Sequence, residues 1–412
     1  MNKSINLCLG MEYLCVYLLL LFKSGFYFSG SMSAITSMIL LLLLFFAVML
    51  RSRFSINKNS LIILFTMIGL YFLTEIATGS VMLSGNLEVY ILFLINVLTS
   101  LLFISLIEYE DFKKIFCNVI IAISIASIVG WIVMKWVPHI VAIFPILTNP
   151  VGTKGHFALL TILVDYSHTG AIRGQGIFWE PGAFQTMIII AMAMELFEGI
   201  EKTKWKRYLI YVVAGMLTFS TTGIVCIALM CALYVCKNRN SFLKLFVLLI
   251  GLVFLYIYLE EHTSGFLHYT LFRKLEGIFD YQVGVGSDAS SRIDSIVLPL
   301  QAFLQSPVWG IGSAGYLELS GIVGHTMFTC TPVNYFAKFG IVFGCICFWG
   351  YWRLLNRKDM PLWKRLFVLG VLLLSVSTEE FSLNPLMICF ILYGYQGKQD
   401  GTRAKVMEKV IR

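Results

Sequence analysis

The sequence predicts an all-α polytopic membrane protein of about 12 transmembrane helices with two large outer-face loops. Three observations predict it. Hydrophobic residues make up 58% of the 412 residues and charged ones only 13%, against roughly a quarter charged in soluble domains. Many apolar runs approach the ~20 residues that cross a bilayer. Basic loops alternate along the chain with poorly basic ones, which fixes an orientation.

Membrane segments are expected at roughly 5–22, 31–50, 60–78, 87–107, 115–136, 182–199, 208–219, 221–236, 242–259, 340–355, 363–378 and 383–396. The first is read as a retained helix rather than a secretory leader. MNKSIN is weakly basic, Glu12 interrupts the run, and FKSGFYFSG offers no clear small-x-small cleavage site. The loops RSRFSINK, EYEDFKK, EKTKWKR, KNRNSFLK and RLLNRKDMPLWKR and the basic C-terminal tail are assigned to the cytoplasm, which puts both termini there. The net charge of +8 follows from those loops and is no nucleic-acid footprint.

The run KRYLIYVVAGMLTFSTTGIVCIALMCALYVCKNR is basic at both ends. It is read as a hairpin of two short helices meeting at Ser220, Thr221, Thr222 and Gly223. Its turn then sits below the outer surface, in a water-filled cavity or against protein, because bare backbone in lipid is not tolerated. One long tilted helix is the competing reading.

The outer face carries two large loops, 137–181 and 260–339. In the second, Ile293, Ile296, Val297, Leu300, Phe303 and Leu304 follow helical spacing, so 291–305 is expected to be an amphipathic helix on the membrane, with Pro299 as a kink. The ten cysteines contain no C-x-x-C, and nearly all fall inside apolar runs, so they read as small buried hydrophobes. All six histidines lie in the two outer loops, but no H-E-x-x-H or comparable ligand spacing occurs, and no metal or cofactor is expected.

The arginines carry the sharpest signal. Arg173, Arg273 and Arg292 are the ones placed outside, against the positive-inside bias. Snorkelling, or an ion pair with a neighbouring carboxylate such as Glu276 for Arg273 or Asp294 for Arg292, is the plain explanation for any one of them. Their clustering in the large loops, beside Gly-rich turns, favours function, since a guanidinium matches phosphate oxygens and stays charged when partly buried. RGQGIFWEPG (173–182) is expected at a membrane edge, with Phe178 and Trp179 as the interfacial anchor and Pro181–Gly182 as the return into the membrane. Glu180 is open between partner to Arg173, sugar contact and helix-start carboxylate. In SPVWGIGSAGY, Gly310 and Gly312 permit a tight turn or close ligand approach. His325 is placed to accept a proton from a sugar hydroxyl or, equally, to start a helix. STEEFSLNP, with Glu379 and Glu380, reads as a solvated turn.

With these residues together, the chain resembles a Wzy-type O-antigen or capsular polysaccharide polymerase, within the O-antigen ligase and polymerase superfamily. RGQGIFWEPGAF, SSRIDSIVLPLQAFLQSPVWGIGSAGY and HTMFTCTPVNYFAKFGIVFG carry the resemblance, in order and on the outer side. It implies a GT-C-like arrangement in a bacterial inner membrane and metal-independent glycosyl transfer. The donor it implies is an undecaprenyl-diphosphate-linked oligosaccharide, with a chain-length regulator as a partner. Carried over by position, His325 and Arg292 are the catalytic candidates, and Arg173, Glu180, Arg273, Gly310 and Gly312 the substrate-binding ones. A ligase moving finished glycan to lipid A core or another acceptor shares this chemistry. A flippase would instead favour charges within spans, where Glu12 and Glu75 are the clearest carboxylates.

Overall fold

The computed structural model describes residues 2–22, 33–51, 57–80, 87–148, 154–164, 172–197, 205–236, 250–251, 257, 261, 288–322, 328–356 and 360–396. The chain is predominantly helical. Among the described residues four helices are long and apolar enough to cross a membrane by length and composition: α3 (Lys58–Ala77), α4 (Leu87–Leu106), α5 (Tyr109–Trp136) and α11 (Thr331–Leu355), the last being two helical segments joined at a bend. The chain is therefore a helical membrane protein. Other apolar helices are α1 (Asn2–Phe22), α2 (Ser33–Arg51), α6 (Pro181–Phe197), α8 (Thr221–Cys236) and α13 (Pro385–Tyr395). The set is completed by α7 (Trp205–Met216), α9 (Asp288–Gln305), α10 (Gly312–Ile322) and α12 (Leu362–Val376). The expected segment 242–259 falls almost wholly outside the described residues.

The expectation of an all-α chain needs one correction. Within residues 137–181, expected as the first outer loop, a 3-10 turn (Pro138–Ile143) leads into a three-stranded antiparallel sheet. Its strands are β1 (Ile146–Thr148), β2 (Lys154–Phe157) and β3 (Ile162–Val164), with Leu147 opposite Gly155 and His156 opposite Leu163. Strands of three and four residues are too short for a period-2 pattern to show in the sequence. The sheet is seated on α5: a side chain at Gly130 would collide with Leu163.

The central packing is α13 against α11, α4 and α3, with α11 also on α3; α6 packs on α5, α7, α8 and α12. Leu386–Leu392 and Tyr393 on α13 are buried all round, as for a helix inside a bundle rather than at its lipid face. Tyr393 stacks on Phe112 of α5 (5.3 Å between ring centroids) and donates to the Ile107 carbonyl at 2.8 Å. A glycine pair lets α13 touch α11, because a Cβ at Gly394 would collide with the Gly350 carbonyl, the small-residue contact common between membrane helices. The exposed apolar side chains of α2, such as Ile35, Leu42, Phe46 and Leu50, are what a lipid-facing helix presents.

Two local shapes matter for the site. Helices α7 and α8 form the hairpin, running side by side: Tyr208 stacks on Tyr234 at 4.5 Å, and Gly215 has no room for a Cβ against Ile227. The turn falls at Leu217–Ser220, with Phe219 in the left-handed region (φ 51°). Helix α11 starts nine residues before the expected span and bends at Gly340 (φ 78°, ψ −179°). Phe336 reaches Phe348 (5.3 Å) and Tyr335 Oη reaches Tyr351 Oη (2.8 Å). On a straight helix those pairs would be ~18 and ~24 Å apart, so 331–339 is turned back toward 341–355.

Candidate functional site

The lengths of the helices locate the polar residues. Several elements are too short to cross alone over their described residues: α12 has 15, α7 has 12 and α13 has 11. Their ends must therefore meet inside the bundle, and hydrogen bonds to the longer helices show at what height. Asn96, tenth of the 20 residues of α4, donates from Nδ2 to the Leu383 carbonyl at 3.1 Å. Ser100 donates to the Pro385 carbonyl at 3.0 Å. The loop 377–384 between α12 and α13 thus lies level with the middle of α4.

RGQGIFWEPG reaches the same height on α5. A Cβ at Gly174 would meet Ser127 Oγ at 2.9 Å, and one at Gly176 would meet Ile123 Cγ2 at 2.8 Å. Ile123 is central in that 28-residue helix. Gly174 N–H donates to the Leu217 carbonyl at 2.8 Å, which places the hairpin turn beside it. The expected role of Phe178 and Trp179 as interfacial anchors is corrected, since both pack against aromatic side chains of the protein. Phe178 is buried and stacked on Phe184 at 5.9 Å, and Trp179 packs edge-on against Phe381 at 5.3 Å. Small residues at 174 and 176 allow the loop to sink this far.

Arg173 donates from Nε to the Thr218 carbonyl (2.9 Å) and from Nη2 to the Phe219 carbonyl (3.4 Å). Both carbonyls belong to the hairpin turn, where backbone acceptors inside a membrane bundle need partners. Thr218 Oγ1 in turn donates to Gln185 Oε1 of α6 at 2.8 Å. Gln185 is buried, its Nε2 has no hydrogen-bond partner, and its carboxamide lies flat against Gly223. Arg173, Thr218 and Gln185 lock loop, hairpin and α6 together.

Glu180 extends toward a different neighbour. A Cβ at Gly182 would stand 2.5 Å from Glu379 Oε1 and 3.2 Å from Glu180 Oε1. The two carboxylates therefore flank Gly182 within roughly 6 Å of each other, at the start of α6 where the helix dipole favours negative charge.

STEEFSLNP is not a solvated turn. Glu379 is 2% exposed, and its carbonyl accepts from Thr331 Oγ1 at 2.5 Å. Thr331 Oγ1 also accepts from Phe381 N–H at 2.7 Å. Glu380 pairs with Lys338 (Nζ–Oε1 2.9 Å) and also accepts from Asn334 Nδ2 and Ser382 Oγ. The Lys338 ammonium stands 3.9 Å from the centroid of the Tyr316 ring. Tyr316 donates to the Phe328 carbonyl at 2.9 Å, and burial, reinforced by the charge of Glu380, holds its phenol above the ordinary range. Sequence reading missed Lys338 and Asn334; the signal was a lysine and an asparagine four residues apart on an otherwise apolar helix start.

The remaining candidates divide. Gly310 and Gly312 are at positive φ (71° and 69°), but protein fills the space a ligand would need. A Cβ at Gly310 would meet backbone of Ala337 and Lys338 at 2.6 Å, and one at Gly312 would collide with the hydroxyls of Thr78 and Ser80. Ile311 N–H donates to the Ala337 carbonyl and Ile341 N–H to the Pro307 carbonyl. The G-x-G turn fastens α9 and α10 to the bend in α11. Glu75 completes that joint: its Oε1 accepts from Ser313 N–H (2.9 Å) and Ser313 Oγ (2.7 Å) at the first turn of α10. Arg292 lies in the first turns of α9, on backbone alone. That helix packs Phe303 on Phe336 and exposes Ile296, Leu300 and Leu304 as one stripe. Arg273 and His325 lie outside the described residues, as do His168, His262 and His268. His156 contacts the Phe144 carbonyl through Nδ1 at 3.0 Å within the sheet.

Beside this polar layer is an apolar pocket of about 90 Å³ between α6, α11, α12 and α13. Thr331 and Val376 stand at one end and Tyr109 and Met360 at the other. Glu195 on α6, a buried carboxylate the sequence reading passed over, lies outside that lining. It pairs with Arg207 at 2.6 Å and accepts from Tyr211 Oη at 3.0 Å.

No protein-family model, curated protein or solved structure matches the chain.

Proposed function

We propose that this protein is a glycosyltransferase of the Wzy type, which polymerises oligosaccharide repeat units carried on undecaprenyl diphosphate at the outer face of a bacterial inner membrane. The observation that carries the reading is the meeting of charged and polar side chains at mid-height of the spanning helices, beside an apolar pocket. Ionisable groups in a membrane bundle are costly and mark functional pathways by default. A substrate with a polar head and a long isoprenoid tail needs both halves of such a site.

In this reading an acceptor sugar hydroxyl attacks the anomeric carbon of the donor, and lipid diphosphate departs. Arg292 and Arg273 neutralise the charge that develops on the leaving diphosphate. His325 takes the hydroxyl proton. Glu180 accepts hydrogen bonds from the glycan. Arg173 acts through the hairpin turn, whose carbonyls it holds. The chain crosses about twelve times in a GT-C-like arrangement, with both termini cytoplasmic and a chain-length regulator as a neighbour.

The deciding experiment gives reconstituted protein a defined undecaprenyl-diphosphate repeat unit and sizes the products. A ladder of polymer on lipid supports the proposal. Consumption of donor only when a separate core acceptor is supplied identifies a ligase, and turnover without glycosidic bond formation refutes a transferase.

A further inference from the structure

The Lys338–Glu380 pair has a position that packing alone does not explain. Thr331 and Tyr335 line the apolar cavity, and Asn334 and Lys338 follow on the same bent segment of α11. Both side chains of the pair keep some exposure, 13% and 15%. The ammonium has a second support in the Tyr316 ring, which is fixed by its own hydrogen bond to Phe328. Lys338 therefore stays in place if its carboxylate partner leaves. Glu380 likewise has Asn334 and Ser382 as donors if the ammonium turns away. Each half of the pair is held independently of the other, an arrangement suited to exchanging partners. Lysine is a point charge with three rotatable donors, so it can change anions without the geometric demands of a guanidinium.

We infer that Lys338 is the cation that receives the phosphate of the lipid-linked substrate, and that Glu380 is its latch in the empty site, displaced when the lipid headgroup arrives. The inference rests on the reading of the substrate as a lipid diphosphate and adds the residue that meets its headgroup.

The test exploits the fact that two substitutions break the same ion pair. Full-length protein in nanodiscs is titrated with undecaprenyl diphosphate, with undecaprenol and with inorganic diphosphate. Lys338→Gln should weaken undecaprenyl diphosphate binding by tenfold or more, and Lys338→Arg should restore most of it. Glu380→Gln keeps one acceptor oxygen, for Asn334 or Ser382, and leaves the ammonium without an anionic partner; the Ser382 hydroxyl can rotate to accept from the new amide. This variant should tighten binding several-fold and lower the melting temperature of the empty protein, with recovery on adding the lipid. Undecaprenol affinity should be the same in all variants.

If both substitutions weaken binding alike, the pair is structural and the inference fails. Should Lys338→Gln not fold, the direction of the Glu380→Gln change decides alone, and no tightening overturns the latch. Inorganic diphosphate bound as tightly as the lipid would overturn the headgroup assignment in favour of a soluble phosphate. Headgroup-dependent binding without polymer formation in the reconstituted system would refute the polymerase reading while leaving the Lys338 site intact.

Discussion

Arg173 Nε donates to the carbonyl oxygen of Thr218 across 2.9 Å, joining the loop RGQGIFWEPG to the turn of the α7–α8 hairpin. The arginine satisfies backbone acceptors of a turn between two membrane-embedded helices, which need partners. A charged donor to such a carbonyl contributes about 1.5–3 kcal/mol. Arg173→Ala should therefore lower stability by about 2 kcal/mol or more. Arg173→Lys, with one point of charge in place of a fork, should recover about half of that loss. Thermal melts of purified protein read both, and an unchanged melting temperature in Arg173→Ala would remove the arginine from the clamp.

The same clamp predicts a coupled pair at Gly223 and Gln185. A methyl group at Gly223 would overlap the Gln185 carboxamide. Gly223→Ala should cost about 1–3 kcal/mol through overpacking. Adding Gln185→Ala should return part of that stability, because the second change empties the contested volume. Additive losses in the double variant would show that the two residues do not share that space.

At the G-x-G turn, packing and ligand approach make opposite forecasts. Gly312→Ala places a side chain at φ 69° against the Thr78 and Ser80 hydroxyls, a left-handed position costing roughly 1–2 kcal/mol before any clash. It should lower the melting temperature of the empty protein. Gly370→Ala on α12 meets nothing within 4 Å and should raise it slightly, since glycine in a helix interior is worse than alanine by roughly 0.5–1 kcal/mol. An intact melting temperature in Gly312→Ala, with lost substrate affinity, would return that glycine to a binding role.

Glu75 gives a test on the first half of the chain. Its carboxylate accepts two hydrogen bonds at the first turn of α10 and a third from Tyr90 Oη at 3.3 Å. Glu75→Gln keeps an acceptor and loses the charge, for about 1 kcal/mol. Glu75→Ala leaves the Ser313 donors without their carboxylate acceptor and should cost about 2 kcal/mol or more. A transport carboxylate would show the reverse order of concern, with Glu75→Gln fully stable and inactive.

Much of the helical plan was legible in the sequence, because apolar runs near bilayer length and their basic flanks are properties of single segments. The short hairpin at 205–236 was legible for the same reason: two basic ends on one apolar run demand a return. The depth of the polar loops was not. Nothing in RGQGIFWEPG or STEEFSLNP separates a loop at the membrane edge from one level with Asn96 of α4, since that height depends on hydrogen bonds to residues 287 positions away. The site was half legible for a related reason. An arginine in a loop that the charge pattern assigns to the outer side stands out in the sequence, whereas Lys338 resembles any lysine near a helix end until Glu380 and Tyr316 are found beside it.

By itself, then, the sequence determined that the chain is a helical membrane protein and which apolar segments become helices, because hydrophobicity and length act locally. The tertiary structure alone decided that short helices end inside the bundle, that their polar ends meet beside an apolar pocket, and that Gly310 and Gly312 serve packing. Those outcomes depend on which surfaces remain to satisfy buried backbone and charge once the long helices are in place, and no single stretch of sequence carries that information.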